Sequence, residues 1–389
     1  MKMPKIVWLL VIGMAVNVTG SSLIWPLNTI YLHNELGKSL SLAGFVLMLN
    51  SGASVLGNLL GGTLFDKIGG YRSILIGIVI SGISLLGIIF LHGWPWYAVW
   101  LVILGFGSGI VFPSIYAMAG SAWPEGGRKT FNAIYISQNL GVALGAALGG
   151  FIADLSFTYI FILNFLMYAV FFFIAFFGYR SAKPIATGSN VMRDVGNIKD
   201  KTKFNALLMV CTAYCLCWIG YVQWQSTISS YTQDLGIPLK AYSSLWAING
   251  VLIIAGQPLI APVINRLSTR IKTQIAIGFI IFIVSYIVTS FADTFLMFML
   301  GMVILTIGEM FVWPAVPTIA NMLAPKGRTG VYQGIVNSTA TLGRAIGPLL
   351  GGFLVDAYNM NIMFTAMIVF IGIGFFFLFV FDRKINLYE

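Results

Sequence analysis

The sequence predicts an all-α membrane protein: twelve transmembrane helices arranged as two pseudo-symmetric six-helix bundles. Three observations carry this. Of the 389 residues, 58% are hydrophobic and only 9% are charged, against about 25% charged in an ordinary soluble domain. The apolar residues fall into twelve windows of spanning length. The second half of the chain repeats features of the first at a nearly constant offset.

Composition points to the solvent. No soluble core hides this much apolar surface, and a bilayer accepts it when every backbone group is paired within helices. A spanning helix needs roughly 20 apolar residues. The windows lie near 6–32, 42–64, 71–92, 95–119, 131–154, 158–178, 204–232, 241–263, 272–291, 294–320, 332–356 and 361–381. The opening Met1-Lys2-Met3-Pro4-Lys5 before an apolar run has the outline of a signal peptide. The run is long, however, and carries Asn17, Trp25, Pro26 and Asn28, so it reads as a retained first span.

The net charge of +10 raises nucleic acid as a partner, and the positions of the charges argue against it. With the N-terminus cytoplasmic and loops alternating, 19 of the 22 Lys and Arg lie inside, Lys38 and Lys240 lie outside, and Arg344 lies within a span. That is the positive-inside pattern of an inner (plasma) membrane protein with both termini cytoplasmic. The basic balance orients the chain and does not mark a polyanionic partner. Cys211, Cys215 and Cys217 share the seventh span and cannot form a spaced disulfide framework. Only His33 and His92 are available as imidazoles, so no metal site or cofactor is implied.

The longest polar stretch, 179–203, divides six spans from six. It is read as a cytoplasmic linker between an N-terminal bundle, 1–178, and a C-terminal bundle, 204–389. Its basic residues are placed to meet anionic lipid head groups. Gly149-Gly150-Phe151-Ile152-Ala153-Asp154 recurs as Gly351-Gly352-Phe353-Leu354-Val355-Asp356, and Gly107, Pro113 and Pro124 recur as Gly308, Pro314 and Pro325. Duplicated units of this kind place a substrate site between them near the bilayer midplane.

The loop after span two reads Gly62-Thr63-Leu64-Phe65-Asp66-Lys67-Ile68-Gly69-Gly70-Tyr71-Arg72. Gly62 permits close helix approach, Gly69-Gly70 allow a tight turn, and Asp66 can accept charge-assisted hydrogen bonds from Arg72 or from a neighbouring helix N-terminus. Span five carries Gly141, Gly145 and Gly149 at i, i+4 and i+8, and span eleven carries Gly343, Gly347-Pro348 and Gly351. Such small-residue stripes let helices pack closely.

With Trp25-Pro26-Leu27-Asn28-Thr29-Ile30-Tyr31 on span one, these motifs resemble the major facilitator superfamily. They are most similar to its twelve-span drug:proton antiporters, the multidrug exporters of Gram-positive bacteria in particular. The resemblance covers essentially the whole chain. It implies secondary active export of lipophilic or cationic drugs in exchange for protons, by alternating access in a monomer. It also implies that Gly62, Asp66, Lys67, Gly69 and Arg72 latch the cytoplasmic side when the protein opens outward. Three positions depart from the family pattern: Leu101 stands where many members carry a membrane Arg, and Ile134 and Gln225 where a relative carries carboxylates. The tenth-helix carboxylate is retained, at Glu309.

Among the twelve acids only Glu309 lies mid-span, and among the bases only Arg344. An isolated charge at the bilayer centre costs about 2.5–3.5 kcal/mol on insertion scales. Both residues lie about halfway along their spans. One reading makes them a permanent ion pair that fixes two helices. The other gives Glu309 a proton or cationic substrate to exchange, with the distance to Arg344 setting how tightly the proton is held. Trp313 follows Glu309 at i+4 and shares its face. Span seven offers Tyr221, Gln223, Trp224 and Gln225, span one Asn17, Trp25, Asn28 and Tyr31, and span five Tyr135 and Gln138. Aromatics and scattered amides suit a cavity for varied amphiphiles, and a carboxylate ringed by aromatics suits organic cations.

The alternative within transport is an exporter or flippase of one metabolite, sugar or lipid-like molecule. A sensor of the same fold without flux is a further class. An enzyme is disfavoured, since no nucleophile–base pair or metal motif is present, and no Gly-x-x-x-x-Gly-Lys-[Ser/Thr] sequence supports ATP-driven transport.

Overall fold

A computed structural model describes residues 3–24, 27–153, 156–181, 201–266, 270–383 and 385. These residues form twelve long helices. The first six are α1 (Lys5–Ile24), α2 (Leu40–Ile68), α3 (Gly70–Phe90), α4 (Trp96–Ala122), α5 (Arg128–Ala153) and α6 (Phe157–Phe173). The second six are α7 (Lys201–Tyr221), α8 (Leu239–Arg266), α9 (Ile271–Ser290), α10 (Phe295–Val312), α11 (Thr329–Ala357) and α12 (Met360–Val380). Among the described residues nine helices are long and apolar enough to cross a membrane by length and composition. The other three, α5, α8 and α11, have 26, 28 and 29 residues. Most of the expected linker, residues 182–200, lies outside the described residues.

Two of the expected spans are broken rather than straight. In the first span, short helical turns lie at Asn28–Ile30 and Tyr31–Glu35. After α7 the chain tightens into a 3₁₀ turn, Val222–Gln225, before the helix Thr227–Asp234. There the Gln223 side-chain amide donates to the Ile219 carbonyl at 2.9 Å, occupying a backbone acceptor. After α10 the chain turns and resumes at Ala315–Leu323. Pro314 explains that break, because it has no N–H to donate and its ring clashes with the preceding turn.

Contacts divide the chain into two compact units, residues 1–197 with 324–338, and residues 198–323 with 339–389. Within each unit the same contact recurs. In the first, an added Cβ at Gly77 on α3 would lie 2.7 Å from Val111 Cγ2 and 2.9 Å from the Gly107 carbonyl on α4. In the second, a Cβ at Gly278 on α9 would meet Val312 Cγ2 at 2.5 Å and the Gly308 carbonyl at 3.1 Å on α10. All three positions are displaced by the same 201 residues, so the repeat is one of packing as well as of sequence.

The glycine stripes do the same for the fifth helix of each set. Gly141 and Gly149 place α5 on the backbone of α1, where an added Cβ would sit 2.8 Å from the Ala15 carbonyl and 2.6 Å from that of Leu23. Gly145 faces the Thr19 carbonyl between them. In the second unit Gly343 brings α11 onto α7, where an added Cβ would lie 2.6 Å from Trp218 Cβ and 3.0 Å from the Cys215 carbonyl. Gly347 abuts Val222 and Ile219, Pro348 lies within α11, and Gly351 faces the Gln223 side chain. Without a hydrophobic force between helices in lipid, such close backbone approach is a main source of association.

Candidate functional site

Glu309 sits on α10 and is 3% exposed. Its Oε2 accepts hydrogen bonds from Tyr221 Oη at 3.2 Å and from Asn249 Nδ2 at 2.9 Å. Tyr221 is the last residue of α7, and Asn249 lies in the middle of α8. Asn249 Nδ2 is also 2.9 Å from Thr306 Oγ1, one turn before Glu309 on α10. Three helices thus contribute polar groups around one carboxylate. A carboxylate removed from water needs such donors, since hydrogen bonds to a charged group are worth about 1.5–3 kcal/mol each.

An aromatic shell surrounds this centre. Trp313 follows Glu309 by one turn, and its backbone N–H donates to the Glu309 carbonyl at 3.0 Å. Its ring stacks on Trp218 with centroids 4.6 Å apart and planes within 1°. Tyr221 and Tyr214 meet Trp313 edge-on at 5.3 and 5.4 Å, Phe282 lies 5.5 Å away, and Trp246 packs against Tyr221 at 6.2 Å. Arg344 reaches in from α11 with its guanidinium carbon 5.0 Å from the Trp218 ring centre. The structure therefore brings Glu309, Tyr221, Trp313 and Arg344 to one aromatic cluster. Asn249, Thr306, Trp218, Tyr214 and Trp246 belong to it and were not among the sequence candidates.

The remaining candidates of the seventh span lie apart from the carboxylate. Gln223 is fully buried and bridges α7 and α11, donating to the carbonyls of Ile219 at 2.9 Å and Gly347 at 2.7 Å. Trp224 is also buried, with its ring 3.4 Å from a Cβ built at Gly301. Gln225 is exposed.

In the first unit, Asn28 accepts a hydrogen bond from Tyr97 Oη at 2.8 Å. Tyr31 Oη lies 2.8 Å from His92 Nδ1, and its ring packs among Tyr97, Phe157 and Phe161. Both residues are held in a packed aromatic cluster at one end of that unit. Asn17 is fully buried, with no hydrogen-bond partner among the described residues. Gln138 accepts from Tyr116 Oη at 3.0 Å, and Tyr135 is buried on the preceding turn of α5. Trp25 lies outside the described residues.

A second arrangement stands at the end of α2. Asp66 accepts from the backbone N–H of Gly330 at 2.8 Å and of Val331 at 2.9 Å. These are among the first N–H groups of α11, which have no partner within their own helix. A carboxylate there also meets the positive end of the helix dipole. The approach needs both glycines: a Cβ on Gly62 would run into the Gly330 carbonyl, and one on Gly330 into that of Gly62. Gly69 ends α2 at φ +86, a conformation that glycine adopts without steric cost. Lys67 and Arg72 are exposed, and the donors to Asp66 come from the helix terminus.

Long apolar helices, matched glycine seams and a polar cluster buried midway along them define a multi-pass membrane transporter. The family model of the Major Facilitator Superfamily matches residues 10–346 and 210–387, and the chain belongs to that superfamily. Its members are transporters and not enzymes. The chain is 56% identical over 384 residues to YttB, an MFS-type transporter of Bacillus subtilis (strain 168), covering 99% of this chain and 97% of YttB. It is 25% identical over 364 residues to the quinolone resistance protein NorA of Staphylococcus aureus (strain MSSA476), covering 92% and 91%. A bacterial homologue of the iron transporter ferroportin, solved in an outward-facing state, matches its fold with a TM-score of 0.78 at 14% identity, over 97% of this chain and 99% of the other.

Proposed function

We propose that this protein is a proton-coupled exporter of lipophilic organic compounds, drug-like molecules among them, residing in the plasma membrane with both termini cytoplasmic. Transport proceeds by alternating access of a site that includes Glu309. The observation that carries the reading is the buried Glu309 carboxylate with its donors Tyr221 and Asn249, inside an aromatic shell. A lone acid held among donors in a span is a group that can exchange a proton, and aromatic walls suit varied apolar cargo. The relatedness to NorA, a quinolone resistance protein, supports a drug-like cargo. Exposed basic residues such as Arg180 at the end of the first bundle suit contact with anionic lipid, and a monomer completes the sites named.

Asp66, Gly62, Lys67, Gly69 and Arg72 act in this scheme as the conformational gate. Capping of the α11 terminus by Asp66 stabilises one state and is released in the other. Asn17, Asn28, Tyr31, Tyr135 and Gln138 are the first-bundle contribution to substrate handling. Arg344 tunes how firmly Glu309 holds its proton.

The test is uptake into proteoliposomes of a varied panel of fluorescent lipophilic dyes under an imposed pH gradient, for the native protein and Glu309→Gln. Gradient-driven accumulation by the native protein and its loss in a folded Glu309→Gln protein is the expected result. Equal accumulation by both would remove Glu309 from the coupling mechanism. No response to the gradient across the panel would remove the exporter reading.

A further inference from the structure

A crevice opens between α3 and α6 of the first unit. Val79, Gly82 and Ile83 of α3 and Phe165, Phe172 and Phe173 of α6 line a volume of about 210 Å³. That is room for several waters at about 30 Å³ each. Water would find nothing to bond there, because the lining is apolar apart from the buried Tyr168. Gly82 keeps the crevice open, since an added Cβ meets nothing within 4 Å. Val79, Ile83 and Phe173 are exposed, so the open side of the crevice faces lipid.

One end of the crevice is charged. Arg72 precedes Val79 by seven residues and Ile83 by eleven, so the three share one stripe of α3. Val79 therefore lies about 10 Å along the helix from Arg72. On the other wall, Phe172 stacks on Phe176 at 5.7 Å and Phe173 on Phe177 at 6.3 Å. These rings carry the apolar wall toward Arg180. Tyr71 Oη donates to the Phe176 carbonyl at 3.3 Å and ties the start of α3 to the turn that follows α6. Arg72 and Arg180 flank this tie in sequence, and both are exposed.

The second unit makes the same tie and supplies an acid with it. Lys272, at the start of α9, donates to the Phe379 carbonyl at 2.8 Å, as Tyr71 does to that of Phe176. Tyr71 and Lys272 are separated by 201 residues, the offset of the glycine seams. Lys272 also pairs with Asp382, which adjoins Arg383. In the first unit the two charges beside the tie have one sign. The acid nearest Arg72 in sequence, Asp66, is taken by the α11 terminus.

From this asymmetry we infer that the corner between α3 and α6 is a binding site for one anionic phospholipid. Its phosphate head group is held by Arg72 and Arg180, whose planar forks match phosphate oxygens. One acyl tail lies in the crevice. The lipid supplies in the first unit the negative charge that Asp382 supplies in the second. The inference rests on residence in a membrane and not on proton coupling, and it narrows general lipid contact to one bounded site.

Native mass spectrometry of the full-length protein in detergent tests it, with dioleoyl phosphatidylglycerol and dioleoyl phosphatidylcholine titrated separately. The two lipids share their tails and differ in net charge. The native protein is expected to bind its first phosphatidylglycerol at least about tenfold more tightly than phosphatidylcholine. Gly82→Leu fills the crevice and should weaken that binding about tenfold. Gly372→Leu on α12, where an added Cβ also meets nothing within 4 Å, should leave it unchanged. Arg72→Gln combined with Arg180→Gln should abolish the preference and leave both lipids weakly bound.

Equal affinity of the native protein for the two lipids would overturn the site. So would a folded Gly82→Leu protein with full affinity, or an equal loss in Gly372→Leu. If the double arginine variant does not fold, the head-group preference and the two leucine variants still decide. A Gly82→Leu protein that binds phosphatidylglycerol normally but no longer accumulates dye would give the crevice to cargo and remove the lipid. Binding is measured without any gradient, so the lipid site can fail while proton-coupled export stands, and the reverse.

Discussion

The Asp66 carboxylate and the Gly330 backbone N–H meet at 2.8 Å, although 264 residues of sequence separate them. The contact joins the end of α2 to the start of α11, and it combines a cap with a dipole interaction. Loss of an N-terminal cap costs about 0.5–2 kcal/mol, and the charge at a helix terminus accounts for about 0.3–1 kcal/mol. Asp66→Ala should therefore lower the thermal midpoint in detergent, and Asp66→Asn, which keeps one acceptor oxygen, should lower it less. Two variants that melt like the native protein would show the contact to be energetically idle.

The same seam makes a steric prediction. Gly62 faces the Gly330 carbonyl, whereas Gly52 on the same helix has nothing within 4 Å of an added Cβ. Gly62→Ala should cut transport at least about tenfold, because a rigid backbone neighbour has to move. Gly52→Ala should match the native rate in the same vesicle assay. Equal behaviour of the pair would mean that the close approach is dispensable.

Around Glu309 the amide of Asn249 is shared between Thr306 and the carboxylate. Removing it leaves a buried acid short of a donor, at about 1.5–3 kcal/mol for a bond to a charged group. Asn249→Ala should destabilise the native protein by that amount and the Glu309→Gln protein by less. The double-mutant cycle should return a coupling above about 0.5 kcal/mol, the range found for residues in one network. Additive effects would place Asn249 outside the carboxylate's network.

Lys272 and Asp382 form an ion pair with 26% and 23% of their side chains exposed. At that exposure a pair contributes under about 1 kcal/mol. Lys272 also donates to the Phe379 carbonyl at 2.8 Å and lies 5.0 Å from the Phe379 ring centre. Asp382→Asn should leave the melting curve nearly unchanged, and Lys272→Ala, which loses all three contacts, should lower it visibly. A large effect of Asp382→Asn would mean that the pair is less screened than its exposure implies.

Much of the fold was legible because its cues are local. Twelve apolar windows, two glycine stripes and the Asp66 loop are properties of neighbouring residues, and each maps onto a described helix or turn. The site was legible only in part. Glu309 and Arg344 stand out because a charge in an apolar span is conspicuous, and Trp313 follows from helical spacing. Trp218, Tyr214 and Trp246 carry no such mark. In helices that are apolar nearly all round, periodicity does not distinguish an inward side from one facing lipid. Asn249 and Thr306 were missed for a related reason: a single amide or hydroxyl is tolerated in any span that can pair it. The break after Tyr221 was also hidden, since hydrophobicity continues through it while the α-helix does not.

The face-to-face pair Trp218–Trp313, at 4.6 Å and 1°, gives the cluster an optical property as well as a chemical one. Two indoles that close share excitation, and the near-ultraviolet spectrum of the protein carries their coupling as a built-in reporter. Any rearrangement that parts Trp218 from Trp313 weakens that coupling, so motion between α7 and the end of α10 can be followed in the unlabelled protein by the light the pair absorbs.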